Sequence, residues 1–235
     1  MKPLALIFGG SRGIGAACVT TLAEQGWQVA LTRTGQASAS PNGDVRTYRA
    51  DVQDAAAVTA VFEQVGADHG RQPDCVIVNA GINVPPAPIA DFDPQAFRRL
   101  VDVNLVGAFN VLHEAARCVR DGGSIIGITT SMVRVGIPGG GPYTATKAAV
   151  ESLLRSMARE LASRGIRVNG VAPGPVDTDL FNAGKTDEAK ARSAALSPFN
   201  RIGRPAEVAE VVAFLASDKA SWVHGQIIQP NGGMV

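Results

Sequence analysis

The sequence predicts a doubly wound α/β fold, in which helices cover both faces of a parallel β-sheet. Three observations support this prediction. Short uninterrupted apolar runs are typical of parallel strands that are buried on both faces. Longer helix-like stretches alternate with these runs, as right-handed strand–helix–strand units require. No proline-rich linker interrupts the 235 residues, so residues 1–235 are expected to form a single domain.

The predicted elements follow one another along the chain. The predicted strands contain residues 4–8, 29–31, 75–78, 125–128, 168–171 and 227–228. The predicted helices contain residues 16–25, 54–65, 103–119, 143–163 and 207–215. Two stretches interrupt the alternation. Residues 34–44 leave little room for a full helix between the second and third strands, and residues 181–198 precede the last helix.

Composition argues against several classes of function. With 22 basic and 21 acidic residues, the formal net charge of +1 gives no electrostatic basis for binding nucleic acid or an anionic membrane. The cysteines have no CxxC spacing and the histidines have no metal-ligand spacing, so neither a disulfide framework nor a metal site is expected. No apolar run approaches the ~20 residues of a membrane-spanning helix. The expected location is reducing and cytoplasmic, without a signal peptide.

A glycine-rich turn follows the first predicted strand. Residues 8–15 read F-G-G-S-R-G-I-G, with helix-like sequence directly after them. Glycines permit a tight turn and a close approach of the backbone to a phosphate, and the following helix N terminus offers free N–H groups and a positive dipole. The spacing of Gly9, Gly13 and Gly15 differs from the common G-x-G-x-x-G fingerprint. A dinucleotide site is the prediction here, and an ordinary turn is the alternative.

Basic residues near this turn favour NADP(H) over NAD(H). Folds that bind NAD usually place an acidic residue at the end of the second strand, where it bonds the ribose 2′-hydroxyl. This sequence has Arg33 at that point, with a second cation at Arg12 and a hydroxyl at Ser11. Two guanidinium groups near one ribose would bind a 2′-phosphate through charge-assisted hydrogen bonds. The alternative is that both arginines are solvated surface residues.

Tyr143 and Lys147 are the candidate catalytic pair. Their i,i+4 spacing puts both on one helix face, with Cβ atoms about 5–6 Å apart. The ordinary pKa of tyrosine is about 10, and a neighbouring ammonium group, helped by the charge of an oxidised nicotinamide, would lower it. The alternative is a surface pair, since this spacing by itself occurs on many helices.

The order of several motifs resembles the short-chain dehydrogenase/reductase family from end to end. Besides the glycine turn and the Tyr–Lys pair, the chain has counterparts of the family's Asp-Val, Asn-Ala-Gly, helix asparagine and P-G-x-V-x-T motifs. Phe8 replaces the usual threonine, and Val78 replaces an optional first asparagine. The resemblance implies a Rossmann-like sheet of about seven strands. The candidates for coenzyme binding are Gly9, Ser11, Arg12, Gly13, Ile14, Gly15, Arg33, Asp51, Val52, Asn79, Ala80, Gly81, Tyr143, Lys147, Pro173, Gly174, Val176 and Thr178.

The resemblance also implies the catalytic residues and leaves one position open. The family's catalytic serine lies thirteen residues before the tyrosine, where this chain has Thr130 followed by Ser131. The family register favours Thr130, whereas residue identity and a bend at the strand end would favour Ser131. Either hydroxyl would hold the substrate oxygen while Tyr143 transfers the proton. Lys147 would lower the tyrosine pKa and bond the nicotinamide ribose. Asn104 is expected to hold a water that relays protons from Lys147, with a buried amide that satisfies helix backbone groups as the alternative.

The predicted function is hydride transfer between NADP(H) and a carbonyl or hydroxyl carbon of a small substrate. A 3-oxoacyl thioester reductase and a sugar or polyol dehydrogenase both fit, since residues 84–91, 132–141 and 181–198 contain few diagnostic side chains. A non-catalytic NADP-binding regulator is a third alternative, which the presence of Tyr143 and Lys147 disfavours. Residues 181–198 are interpreted as a substrate lid, with a surface loop as the alternative. The resemblance further implies a homotetramer formed through the helices at 103–119 and 143–163.

Overall fold

A computed structural model describes residues 1–35 and 45–235 of the chain. Within these residues the strands are β1 (Leu4–Phe8), β2 (Gln28–Arg33), β3 (Val45–Arg49), β4 (Cys75–Val78), β5 (Ser124–Ile128), β6 (Arg167–Val171) and β7 (Ile227–Ile228). They form one parallel sheet in the order β3-β2-β1-β4-β5-β6-β7, which confirms the predicted Rossmann-like fold. Of the stretch 34–44, for which the sequence predicts no full helix, residues 36–44 lie outside the described residues.

Helices connect the strands and lie on both faces of the sheet. They are α1 (Gly13–Glu24), α2 (Ala55–His69), α3 (Pro94–Val101), α4 (Gly107–Cys118), α5 (Met132–Val135), α6 (Gly141–Leu161), α7 (Asp179–Asn182), α8 (Asp187–Ala194) and α9 (Pro205–Ala216). A π-helical turn at Asp102–Val106 joins α3 to α4 without a break.

The alternation of side chains along β1 divides the core into two halves. Leu4, Leu6 and Phe8 pack into a cluster with side chains of α2, α4 and α6. Ala5 and Ile7 point to the opposite face and pack with side chains of α1 and α9. The side chains on both faces of β1 are fully buried, and every residue of this strand is apolar. This is expected for a central strand of a parallel sheet that is covered on both faces.

The winding of the chain reverses beside β1. From β1 the chain passes to β2 and β3 on one side, and then returns to β4 on the other side, where Leu6 pairs with Val76. The connections that follow β1 and β4 therefore leave the sheet in opposite directions, which opens a crevice at the carboxyl ends of these strands.

The helical segment before β5 starts earlier than the sequence predicts. The apolar periodicity predicts a start at residue 103, but α3 begins at Pro94. The Asp93 side chain accepts hydrogen bonds from Gln95 N at 2.9 Å and Ala96 N at 3.2 Å, and proline occupies the first helical position. This Asp–Pro start signal could have been recognised in the sequence, because both residues are typical of a helix N terminus.

Asp74 anchors the edge of the sheet that lies opposite the crevice. Its nearly buried carboxylate accepts hydrogen bonds from Leu4 N at 2.7 Å and Arg71 Nη1 at 2.6 Å, and it also bonds Arg120 Nε. Burial by itself raises the pKa of Asp74, but the bonds from Leu4, Arg120 and Arg71 outweigh burial, so the pKa lies below its ordinary value. The carboxylate thus joins β1 to the segments before β4 and β5.

We expect Asp74→Asn to lower the free energy of unfolding by about 2 kcal/mol at pH 7, because the two guanidinium groups lose their shared counter-charge. The carboxyl pKa is lower in the folded than in the unfolded chain. Its contribution is therefore present above the unfolded value of about 4 and is lost as the pH falls through the folded value. Urea unfolding of both proteins at pH 7 and pH 3 measures the difference, which should shrink at the lower pH. An equal difference at both pH values would contradict this account.

Candidate active site

A cavity of about 1050 Å³ occupies the crevice at the carboxyl ends of the strands. Three of the predicted site residues, Gly15, Asn104 and Ser131, do not line it. The predicted residues that do line it are Gly9, Ser11, Arg12, Gly13, Ile14, Arg33, Asp51, Val52, Asn79, Ala80, Gly81, Thr130, Tyr143, Lys147, Pro173, Gly174, Val176 and Thr178. The fold thus brings together motifs that are spread over most of the chain.

The glycine turn lies close to the strand on the other side of the crevice. Gly9 has a φ of +83°, and a Cβ at Gly15 would lie 2.6 Å from Asn79 Nδ2, so neither position accepts a larger residue without a shift. Asn79 Nδ2 donates to Gly9 O at 2.8 Å, and the Thr32 hydroxyl accepts from Gly9 N at 3.1 Å. Gly15 therefore acts in packing, and Asn79 holds the turn in place.

The stretch after β6 completes the opposite wall of this part of the cavity. The Thr178 hydroxyl accepts from Phe181 N at 3.1 Å and thereby caps α7. Its methyl group would lie 3.2 Å from a Cβ at Gly13, so α7 begins directly across from the glycine turn. Gly174 is equally close to the chain at Asn231, whose Cα would lie 3.0 Å from a Cβ at that glycine. The glycines here allow close contact between backbone segments that the sequence separates widely.

Two arginines line the end of the cavity next to the glycine turn. Arg12 is exposed and directly precedes α1, and Arg33 ends β2. Asp51, an exposed residue that accepts a hydrogen bond from Gln53 N at 3.0 Å, and the buried Val52 line the cavity nearby in the chain. This end of the cavity therefore presents positive groups, a helix N terminus and free backbone.

Tyr143 and Lys147 lie on the first two turns of α6, and both line the cavity. Lys147 is buried, with its Nζ donating to Ile128 O at 3.0 Å at the end of β5. Burial raises the pKa of Tyr143 to about 12 and lowers the pKa of Lys147 to about 8. Removal of water from the phenol is the cause of the raised pKa, and the ammonium group of Lys147 is bonded to a backbone carbonyl. A lowering of the Tyr143 pKa by Lys147 together with an oxidised nicotinamide stays a prediction for the protein with coenzyme bound.

The structure separates the two candidate hydroxyl groups. Thr130 lines the cavity, and its hydroxyl accepts a hydrogen bond from Met132 N at 3.3 Å. Ser131 is fully buried. Its Oγ donates to Ala172 O at 2.6 Å and accepts from Asn231 Nδ2 at 3.1 Å. The bend after β5 does not turn Ser131 towards Tyr143, so the register that favours Thr130 agrees with the structure.

Asn104 does not reach the cavity, and its amide fixes a loop. It lies in the π-helical turn, is fully buried, accepts from Ile82 N at 2.8 Å and donates to Ile82 O at 2.9 Å. A Cβ at Gly81, the preceding residue of this loop, would lie 3.1 Å from Asn104 Oδ1 and 3.4 Å from Lys147 Nζ. The Asn104 amide is therefore buried and hydrogen-bonded, as the second interpretation expects. Its backbone partner is the loop residue Ile82 and not a residue of the helix.

The sequence patterns do not predict several residues that line the cavity, and they predict others only as members of a longer segment. Thr32 lines the cavity and holds the glycine turn, and a polar residue within the apolar β2 could have drawn attention to it. Asn231 lies outside the cavity lining and holds the backbone of Gly233 and Met234. Phe92, Arg99 and Val103 line the cavity without belonging to any predicted motif. The regions expected to contact the substrate contribute Val84, Pro86, Met132, Ile137, Pro138, Gly139, Gly140, Phe181, Lys185, Ser193 and Leu196.

A family model described as Enoyl-(Acyl carrier protein) reductase matches residues 9–235. The chain belongs to the short-chain dehydrogenase/reductase family. A mutant of the Serratia marcescens short-chain dehydrogenase/reductase has a similar structure, with a TM-score of 0.90 and 34% identity over 99% of this chain and 97% of that one.

Curated relatives of this family extend over nearly the whole chain. The NADPH-dependent aldehyde reductase-like protein, chloroplastic, of Arabidopsis thaliana is 38% identical over 99% of this chain and 94% of its own. The 3-oxoacyl-(acyl-carrier-protein) reductase FabG of Staphylococcus aureus is 38% identical over 100% of this chain and 98% of its own. This short-chain dehydrogenase/reductase is accordingly an oxidoreductase that acts on CH–OH or C=O groups with a nicotinamide coenzyme.

None of the helices within residues 1–35 and 45–235 is both long and apolar enough to span a bilayer. These same residues contain no group of histidine, cysteine, aspartate and glutamate side chains that could hold a metal ion.

We expect Lys147→Met to raise the free energy of unfolding at pH 7 by roughly 2 kcal/mol, because burial of an ammonium group is unfavourable. The pKa of Lys147 is about 8 in the folded chain and 10.5 in its ordinary state, so the unfolded chain binds more protons between these values. The wild-type chain therefore gains stability as the pH rises through this window, and the advantage of the variant shrinks towards pH 10.

Urea unfolding at pH 7 and pH 10 measures this effect. Lys219→Met makes the same exchange at an exposed position and serves as the control. A loss of stability in Lys147→Met that is equal at both pH values would show that the ammonium group stabilises the fold instead.

Proposed function

We propose that this protein is an NADP(H)-dependent carbonyl reductase. The observation that carries the proposal is the convergence of Tyr143, Lys147 and Thr130 on the cavity that Arg12 and Arg33 line at its other end. Hydride donor and carbonyl group would meet between these two sets of residues. Reduction is the proposed direction, because cells keep NADPH largely in its reduced form.

The choice of NADP(H) rests on charge. Arg33 ends β2, where folds that bind NAD usually carry an acid, and Arg12 supplies a second guanidinium group. Both could form charge-assisted hydrogen bonds to a 2′-phosphate. The printed name of the Arabidopsis relative agrees with this choice of coenzyme. The N terminus of α1 fits the pyrophosphate, because Gly13 carries no side chain that would cover it.

The side chains of this chain would then carry the proton transfer. The nicotinamide, when bound, supplies the hydride. With its pKa raised, Tyr143 holds its proton at neutral pH and can donate it to the carbonyl oxygen. Thr130 would hold the same oxygen as negative charge develops on it. Lys147 would contact the nicotinamide ribose, and we assign Asn104 a positioning role through the loop at Gly81 and Ile82.

The walls of the cavity favour a carbonyl compound with an apolar body. Val84, Pro86, Met132, Ile137 and Leu196 line the part of the cavity that remains beyond the proposed coenzyme site. Hydroxyl groups of a sugar or polyol would find no hydrogen-bond partner on these five side chains. A 3-oxoacyl thioester is therefore a better candidate than a polyol, and the printed name of the Staphylococcus relative agrees with that substrate class.

A lid and a homotetramer are part of the proposal. Residues 181–198 include α8, and Phe181, Lys185, Ser193 and Leu196 of this stretch line the cavity. Gly184 has a φ of +69° between α7 and α8 and would serve as a hinge within an otherwise single domain.

Val106 and Phe109 expose apolar side chains in the helical segment 103–119, which supports the assembly of the homotetramer through that segment.

Arg33→Asp tests the coenzyme assignment. We expect the wild-type protein to bind NADPH more tightly than NADH, and the variant to lose roughly 10- to 100-fold in NADPH affinity, because a charge-assisted hydrogen bond is replaced by repulsion. NADH affinity should change little. Titration of nicotinamide fluorescence measures all four affinities, and Arg49→Asp repeats the charge change at a strand end outside the cavity. A wild-type preference for NADH would overturn the assignment.

Thr130→Ala and Ser131→Ala test the catalytic assignment as a pair. We expect Thr130→Ala to lower kcat by about 100-fold or more, because the developing oxyanion loses a hydrogen-bond donor, and to leave stability nearly unchanged. Ser131→Ala should retain most of kcat and lose about 1–3 kcal/mol of stability, because buried Ala172 O and Asn231 Nδ2 lose a partner. Steady-state reduction of an aldehyde by NADPH and urea unfolding supply the two readouts. The opposite pattern would assign the catalytic role to Ser131.

A further inference from the structure

Lys185 brings a positive charge to the lid side of the cavity. It lies between α7 and α8, is half-buried and lines the same cavity as the catalytic pair. Its Nζ donates to Phe181 O and lies 4.2 Å from the centre of the Phe181 ring. The carbonyl oxygen and the ring face both attract a cation and hold the ammonium group in one place without neutralising it.

The ammonium group of Lys185 has no counter-charge in the described part of the chain. Lys190 on the neighbouring helix α8, by contrast, pairs with Asp187 at 3.6 Å. Asp179 lines the cavity too, but its carboxylate is not within ion-pair distance of Lys185. The charged residues that line the cavity are Arg12, Arg33, Asp51, Arg99, Lys147, Asp179 and Lys185. Partial burial lowers the pKa of Lys185.

Apolar side chains from two segments line the same cavity as Lys185. Phe181 and Leu196 come from the lid segment, Leu180 directly precedes it, and Met132 and Ile137 face the cavity from the segment after β5. A ligand that fills this part of the cavity would contact apolar side chains over most of its surface and one cation at the lid. Because a half-buried, unpaired cation is unfavourable, a negatively charged group on the ligand would be bound most strongly there.

We propose that Lys185 is a specificity-determining residue, which selects carbonyl substrates that carry a carboxylate or phosphate group on an apolar body. This inference rests on the proposed reductase function and names the class of substrate that the function acts on. The shared chemistry is an anionic oxygen group that accepts a hydrogen bond from Nζ. The group would lie on the substrate at the end remote from the reacting carbonyl, which Tyr143 and Thr130 hold.

Coenzyme phosphates are the competing partner for Lys185. The N terminus of α1 at Gly13 already offers a place for the pyrophosphate, and Arg12 and Arg33 lie at that end. Lys185 follows α7, which leads away from Thr178 and the glycine turn. A coenzyme contact and a substrate contact of Lys185 lead to different expected results. Loss of a coenzyme contact would weaken NADPH binding and would affect charged and neutral substrates alike, whereas loss of a substrate contact would affect charged substrates.

Three aldehydes of the same shape test the proposal. They are para-carboxybenzaldehyde, para-formylphenyl phosphate and the neutral methyl para-formylbenzoate, whose reduction is followed by the loss of NADPH absorbance. We expect Lys185→Gln to lower the ratio of kcat/KM for an anion to kcat/KM for the ester by about 10-fold or more, chiefly through KM. The aldehyde that shows the larger fall identifies carboxylate or phosphate as the preferred group. Lys190→Gln, the same exchange outside the cavity, should leave the ratio unchanged.

Two outcomes would overturn the proposal. One is a ratio that Lys185→Gln does not change for either anion. The other is an equal fall for all three aldehydes together with weaker NADPH binding, which would assign Lys185 to the coenzyme.

A binding measurement separates the anion site from the reductase function. Calorimetric titration of para-(hydroxymethyl)benzoate and of its methyl ester into the protein with NADPH does not depend on turnover, because neither the alcohol nor the reduced coenzyme can accept a hydride from the other. If the wild-type protein binds the anion more tightly than the ester and Lys185→Gln loses this preference, the anion site is supported, whether or not any aldehyde is reduced. If no aldehyde is reduced, the proposed reductase function alone is refuted. Equal binding of the anion and the ester by the wild-type protein would refute the anion site.

Discussion

The reversal of winding between β1 and β4 is the constraint on which the site depends. Both faces of a parallel sheet must be covered, and here α1 and α9 cover one face while α2, α4 and α6 cover the other. Ligand access remains at the carboxyl edge, where the connections after β1 and β4 diverge. The bond from Asn79 to Gly9 O then holds the glycine turn against the end of β4, so that the position of the turn follows from the packing of the sheet.

The burial that stabilises the fold also sets the chemistry of the catalytic pair. Tyr143 and Lys147 lie on the first two turns of a helix that packs against β5 and β6, where Lys147 is buried and Tyr143 is partly buried. Desolvation favours the neutral form of each group, which raises the pKa of the phenol and lowers that of the ammonium. A protonated phenol suits the donation of a proton to a carbonyl oxygen. The backbone carbonyl of Ile128 compensates in part for the burial of the lysine.

Charge is distributed unevenly along the cavity. Arg12 and Arg33 lie beside the glycine turn, Lys185 lies on the lid side, and apolar side chains line much of the space between these ends. Such a distribution suits two ligands that each carry negative charge at the end remote from the reacting atoms. The hydride donor and the carbonyl would then meet in the middle, next to Thr130 and Tyr143, where water is largely excluded.

The sequence by itself determined the sheet, the position of the glycine turn and the placement of Tyr143 and Lys147 on one helix face. These features follow from local patterns: apolar runs, glycine spacing and the helical period. It left open the choice between Thr130 and Ser131 and the role of Asn104, and it placed the start of the helix at 94 too late. Only the tertiary structure shows where the side chains of Thr130, Ser131 and Asn104 lie. Hydrogen bonds to Ala172, Asn231 and Ile82, and the removal of water from the phenol, come from segments far apart in the chain, which no local pattern contains.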